Sequence, residues 1–192
     1  VFTHSKVGKP GTPDKDRQRI NAGIWRYHPT KHIFEVFCHG TSNPWGVDFN
    51  DRGEAFITAC VIPHLWHMVP GGRYERQGGR HFDPYPWIEI GTIANHAHYA
   101  GDIGDHAWWG RDRAVADTGT DAAGGGHAHC GALIYGGASF PAEYRNAVLF
   151  NNIHGNRVNQ DRLERNGSSY VGSHAPDLVL ANDPWYRGIA LR

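Results

Sequence analysis

The chain has 192 residues, enough for one ordinary domain. Its 19 Lys and Arg balance 19 Asp and Glu, so no basic excess points to nucleic acid and no polybasic stretch points to a membrane surface. The longest apolar run, around residues 55–62, falls far short of the ~20 residues of a spanning helix, and Cys38, Cys60 and Cys130 form neither a CxxC nor a CxxCH motif.

Residues 1–21 are polar and broken by Gly and Pro, and read as a loop. Short apolar runs bounded by Gly, Pro and Asn follow, which is a strand pattern rather than a helical one. Gly23–Tyr27 and Ile33–His39 are the first two strands, joined by a turn at His28–Lys31. A unit follows in which NPWGVDF (Asn43–Phe49) turns at Asn50–Gly53 into a strand at Ala55–Cys60, and Leu65–Arg76 continues extended. Cys38 and Cys60 fall inside these strands and read as small buried apolar residues. His64 and His67 are spaced so that strand alternation sends them to opposite faces, which argues against a shared ion.

Residues 77–126 form an irregular insertion. His96–Ala107 reads as a short helix or an ordered loop, and Asp117–Gly126, DTGTDAAGGG, as a flexible loop. The chain is organised around His127–Glu164. Strands are predicted at Ala132–Tyr135, Ala147–Ile153 and Asn156–Leu163, with a turn-rich link at Gly136–Asn146. Gly167–Ala175 reads as a loop, and Pro176–Ala181 as a strand or helical turn. A last unit, DPWYRGIAL, starts at Asp183.

Three entering strands align as Gly46-Val-Asp-Phe, Gly131-Ala-Leu-Ile and Gly188-Ile-Ala-Leu, each after a polar or aromatic loop. Repeated loop-then-strand units mark repeat architectures. The fold class expected is therefore all-β, a β-propeller of which residues 1–192 supply about three blades. Propellers typically hold about 4–8 blades, so the chain reads as a fragment of a longer propeller. A small, complete β-rich domain is the alternative.

Fourteen histidines are the chemical signal. His127 and His129 enter a strand at a spacing that puts both on one face. There they are candidates for metal ligation or general-base catalysis, or are loop histidines bonded to backbone. His96 and His98 share the spacing. Trp45 and Trp185 occupy matching positions and suit either packing between blades or stacking on a sugar or planar cofactor. Trp108 and Trp109 are candidates for a ligand-facing lid. Asp48, Asp51 and Asp183 form no calcium-loop pattern and read as turn residues, and no nucleophile elbow, phosphate loop or dinucleotide fingerprint is present.

The segments GIWRYHP, NPWGVDFNDRGEAFIT, HLWHMVPGGRYER, HAHCGALIY, NNIHGNRVNQDRLERNGSSYVG and LANDPWYRG together resemble the propeller domain of planctomycete-type dehydrogenase-like proteins, within the glucose/sorbosone dehydrogenase group. The resemblance implies a six-bladed propeller, calcium and pyrroloquinoline quinone in its channel, and oxidation of a sugar or polyol hydroxyl with a His taking the proton. The cofactor would supply the redox chemistry and the protein the orientation. By position, Asn43 matches a cofactor-contacting Asn, His154 stands where the family has Lys, and Arg187 matches the second Arg of a cofactor-binding segment. Ser42 and Trp185 replace two family arginines. His129 matches the local motif of the catalytic base. The resemblance also implies an extracytoplasmic or periplasmic location and a c-type haem domain on the same longer chain. A propeller that binds a glycan or a protein without catalysis is the rival reading.

Overall fold

The computed structural model describes residues 5–61, 63–82, 88–103, 118–183 and 185–191. The protein is all-β, and its described residues form four sheets, none closed on itself. Strands β1 (Ser5–Val7) and β2 (Gln18–Ile20) pair as a ribbon. Strands β3 (Gly23–His28) and β4 (Ile33–Thr41) are antiparallel, and β8 (Arg73–Arg76) joins β4 in parallel. Strands β5 (Asn43–Phe49), β6 (Ala55–Cys60) and β7 (Leu65–Met68) form an antiparallel sheet. The fourth sheet is an antiparallel meander of β9 (His129–Ile134), β10 (Val148–Asn152), β11 (Arg157–Asn166) and β12 (Ser169–Leu180). Among the described residues, no helix is long and apolar enough to cross a membrane.

The β5–β6–β7 sheet is covered on both faces, which explains why β6 reads AFITAC without polar alternation. Ala55, Ile57 and Ala59 pack with Trp66, Met68, Tyr74, Ile24 and Cys38 toward the β3–β4–β8 sheet. Phe56 points the other way, into a second cluster with Leu65, Ile93, Ile134, Val148 and Phe150. Phe56 and Phe150 are fully buried, each contributing roughly 2–3 kcal/mol.

The glycines of the entering strands allow close backbone approach. A Cβ on Gly46 would lie 2.3 Å from the Gly131 carbonyl carbon. Gly131, at φ +71°, opens a bulge in β9 opposite β10. Thr58 Oγ1 donates to its carbonyl at 2.6 Å, and Asp48 Oδ2 accepts from Ile134 N at 2.7 Å. The β5–β6–β7 sheet thus meets the meander through β5 and β6 against β9.

Several expectations change. Asp117–Gly126 is not all loop: Thr118–Ala123 form a short helix, α1. Thr120 Oγ1 accepts from Ala100 N, Arg157 bonds the Asp121 carbonyl and carboxylate, and Gly124–Gly126, all at positive φ, end the helix. Residues 169–175 lie inside β12 rather than in a loop, with Pro176 beside a register shift where a ladder donor is not required. Asn43 and Pro44 begin β5. The described part of 183–192 carries no strand. Asp183 Oδ1 and carbonyl instead fold a turn onto Trp185 N and Tyr186 N, and residues 189–191 run past the Gly131 bulge without a ladder. The described part of 96–107 holds no α-helix, and Trp108 and Trp109 lie outside the described residues.

Candidate metal centre

Residues 92–95 thread between two sheets. Ile93 N and Thr92 Oγ1 donate to the Leu65 carbonyl of β7, while Gly172 N donates to Ile93 O and Asn95 N to Gly172 O of β12. Asn95 Nδ2 adds a bond to Ser173 Oγ at 2.8 Å. This anchoring delivers His96 and His98 onto the meander. Asp161 of β11 and His174 of β12 are direct cross-strand partners and share a face. His64 arrives just before β7, and His129 at the start of β9. Phe150 lies under the rings of His64, His98 and His129, at centroid distances of 5.6, 5.5 and 5.3 Å.

Four donor atoms converge. His96 Nε2 lies 3.2 Å from His98 Nε2 and 3.2 Å from Asp161 Oδ1, and His98 Nε2 lies 3.5 Å from that oxygen. His174 Nδ1 lies 2.9 Å from His98 Nε2 and 3.9 Å from Asp161 Oδ1. Ligands at the usual zinc distances on a tetrahedron stand about 3.3 Å apart. His64, His96, His98 and Asp161 offer ligand atoms all within 4.8 Å of one another.

The outer atoms of these groups are engaged in the way that aims the inner ones. His96 Nδ1 lies 3.1 Å from Asn95 Oδ1, an acceptor that favours the proton on Nδ1 and the lone pair on Nε2. His98 Nδ1 lies 3.0 Å from His129 Nε2. In the tautomer where Nδ1–H donates there, His98 Nε2 presents its lone pair as well. His64 Nε2 donates to Asp161 Oδ2 at 2.9 Å, leaving Asp161 Oδ1 buried with no hydrogen-bond donor among the described residues. In those tautomers two lone pairs would face a buried carboxylate oxygen at about 3 Å, an arrangement that a cation between them would relieve. Ligating imidazoles generally hold such outer partners.

The electrostatics agree. Burial, with His64 adding repulsion, pushes the His98 imidazole down to about 3. Burial, then His64 and His98, holds His129 well below its usual value. Both rings are neutral at neutral pH, the state in which imidazole binds metal. For Asp161, burial alone would raise the carboxyl; the surrounding imidazoles of His174, His64, His96 and His98 outweigh it and hold it well below the usual range. His64, His98, His129 and Asp161 are at most 1% exposed, whereas the side chains of His96 and His174 are 16% and 29% exposed. The cluster opens to solvent on one side. Calcium takes about six to eight oxygen ligands, and a cluster of imidazoles with one carboxylate does not fit it; the donor set suits zinc or another borderline transition ion.

The residues singled out in the sequence fall in three places. His129 belongs to this centre. His127 does not: its ring sits 5.1 Å from that of His154 and 6.2 Å from that of Tyr99. Alternation fails for the pair because β9 starts only at His129, after the positive-φ glycines. Arg187 lies close enough to His154 to add to the lowering of its pKa, after burial, and donates to Asn156 Oδ1 at 3.0 Å. Asn43 lines a different hollow, with Asn21, Ser42 and Arg76. Trp45 and Trp185 are 51% and 84% exposed, so neither packs between sheets. His67 turns to Ser169 Oγ and stacks on Phe56, away from His64, as alternation predicts. Asp161 and His174 gave no signal in the sequence; an HxH spacing at His96 and His98 was the one available pointer.

A family model described as a domain of unknown function (DUF7133) matches residues 2–192. No curated protein and no solved structure matches the chain.

Proposed function

The chain belongs to the DUF7133 family, and from its side chains we propose that it is a metal-binding β domain holding one zinc-like ion between its sheets. His96, His98 and Asp161 are the core ligands, His174 is the fourth, and His64 and His129 orient Asp161 and His98 from outside. The observation that carries this is the convergence on Asp161 Oδ1, a buried carboxylate oxygen facing the Nε2 atoms of His96 and His98 at 3.2 and 3.5 Å. Metal analysis of the purified chain, followed by titration of the chelated protein with Zn²⁺, Co²⁺ and Ca²⁺, tests it. One equivalent of a transition ion and no calcium is expected. A chain that takes up neither zinc nor cobalt, and melts identically with and without chelator, overturns it.

The sheets themselves read as propeller blades. The support is that Gly46 of one sheet's first strand abuts Gly131 of the next sheet's first strand, as inner strands of neighbouring blades would. A sugar-oxidising role with a quinone cofactor is the second reading. One observation favours it: the rings of His127 and His154 lie 5.1 Å apart, and Arg187 is close enough to His154 to help lower its pKa, a group apart from the metal centre.

A further inference from the structure

The four donors are not equivalent. The triangle of His96 Nε2, His98 Nε2 and Asp161 Oδ1 has edges of 3.2, 3.2 and 3.5 Å, close to the spacing of three ligands on one ion. His174 departs from that pattern: its Nδ1 is 2.9 Å from His98 Nε2 but 3.9 Å from Asp161 Oδ1. It is also held differently. His98 and Asp161 are buried and braced by His129 and His64, and His96 is braced by Asn95. His174 projects from β12, the outermost strand of the meander, and its side chain is the most exposed of the set.

We propose that His174 is the exchangeable ligand of this centre. The ion stays on His96, His98 and Asp161, while His174 yields its position to water or to a small anionic or oxygen-donor ligand entering from the solvent side. Four fixed protein ligands make a structural site; three fixed ligands and one exchangeable position make one able to bind and polarise an exogenous group. The proposal rests on the reading of this cluster as a metal centre, and it adds that the centre takes exogenous ligands.

The test uses the full chain loaded with Co²⁺, whose visible bands report coordination. Wild type, His174→Ala, His98→Ala and Asp161→Asn are compared for cobalt affinity and for the response to azide. His174→Ala is expected to keep one Co²⁺ with a loss of about tenfold, whereas His98→Ala and Asp161→Asn lose about a thousandfold or more. Azide is expected to shift the cobalt bands of wild type, and to do so at lower concentration in His174→Ala. The proposal is overturned if His174→Ala loses the ion as fully as His98→Ala, or if azide leaves both spectra unchanged, which marks a closed structural site. Failure of wild type to bind cobalt or zinc at all overturns the metal reading itself, a separate outcome.

Discussion

His98 Nδ1 lies 3.0 Å from Nε2 of His129, and the two rings belong to segments 31 residues apart. The contact fixes which nitrogen of His98 faces Asp161. His129→Ala is therefore expected to weaken zinc binding about 10–100-fold, the usual loss for an outer partner of a ligating imidazole. His129→Gln keeps an acceptor for His98 Nδ1–H and is expected to recover part of the loss. Competition against a chromophoric chelator measures both; equal affinity in wild type and both variants refutes the assignment.

The metal-free protein should be acid-labile in a defined window. His98 has a folded pKa of about 3 against an ordinary 6.5. Between those values the unfolded chain binds a proton that the folded chain does not. The stability is thus fully present above 6.5 and is lost as pH falls toward 3. His129 acts in the same direction. Each such proton contributes a slope of about 1.4 kcal/mol per pH unit. Asp161 has the depressed carboxyl of a stabilising acid, whose contribution is lost only below its ordinary 3.8, so it adds nothing to the slope above that. Urea midpoints of chelated protein from pH 7 to pH 4 should fall steadily; a flat profile contradicts the burial of neutral imidazoles.

Gly46→Ala should be among the costliest single changes. Its Cβ would stand 2.3 Å from the Gly131 carbonyl carbon, and both partners are backbone. We expect a loss of about 3 kcal/mol, the upper part of the range for overpacking. Gly136→Ala, where nothing lies within 4 Å of the added carbon, is the control and should be nearly neutral. Chemical denaturation of the two variants decides, and equal midpoints would mean that the sheets can slide apart at no cost.

Arg187→Ala should raise the pKa of His154. Burial is the larger cause of its lowering and will persist, so the ring should move only part of the way back toward 6.5. Proton NMR titration of the ring reads this directly. The same variant tests the sugar-oxidising reading. If His127, His154 and Arg187 bind pyrroloquinoline quinone or a polyol, calorimetry should show the affinity falling by ~2 kcal/mol or more, the order of one lost charge-assisted hydrogen bond. Heat from neither ligand with wild type would remove that reading.

Strands were legible where one sheet face meets a core, because runs such as LWHM and AVLF carry the burial pattern themselves. The Gly-led alignment was legible for Gly46 and Gly131, where a close backbone approach demands glycine. It misled at Gly188, whose segment is bent by local bonds to Asp183 and passes beside Asn151. The cluster of His64, His96, His98 and Asp161 was mostly hidden. Asp161 sits in NQDRLE, which looks solvent-facing, yet it is fully buried because four imidazoles from three other segments cover it. His96 and His98 lie in a stretch with no periodicity, and what positions them is hydrogen bonding to Leu65 and Gly172, partners 27 to 79 residues distant along the chain. Proximity of that kind leaves no periodic trace.

Residues 92–95 bond to Leu65 on one side and to Gly172 on the other, so β7 and β12 are held there about two interstrand spacings, roughly 10 Å, apart. His96 and His98 hang from this rivet, while Asp161 and His174 stand on the meander alone. The rivet bonds nearest His96 run to Gly172 and Ser173 of β12, so His96 and His98 stay on the meander's side with Asp161 and His174, and His64, just before β7, is the imidazole that reaches Asp161 from the other sheet. A pull that pries the sheets apart would therefore strip His64 from Asp161 Oδ2 and bare one oxygen of a buried carboxylate, while the other imidazoles around it stay in place.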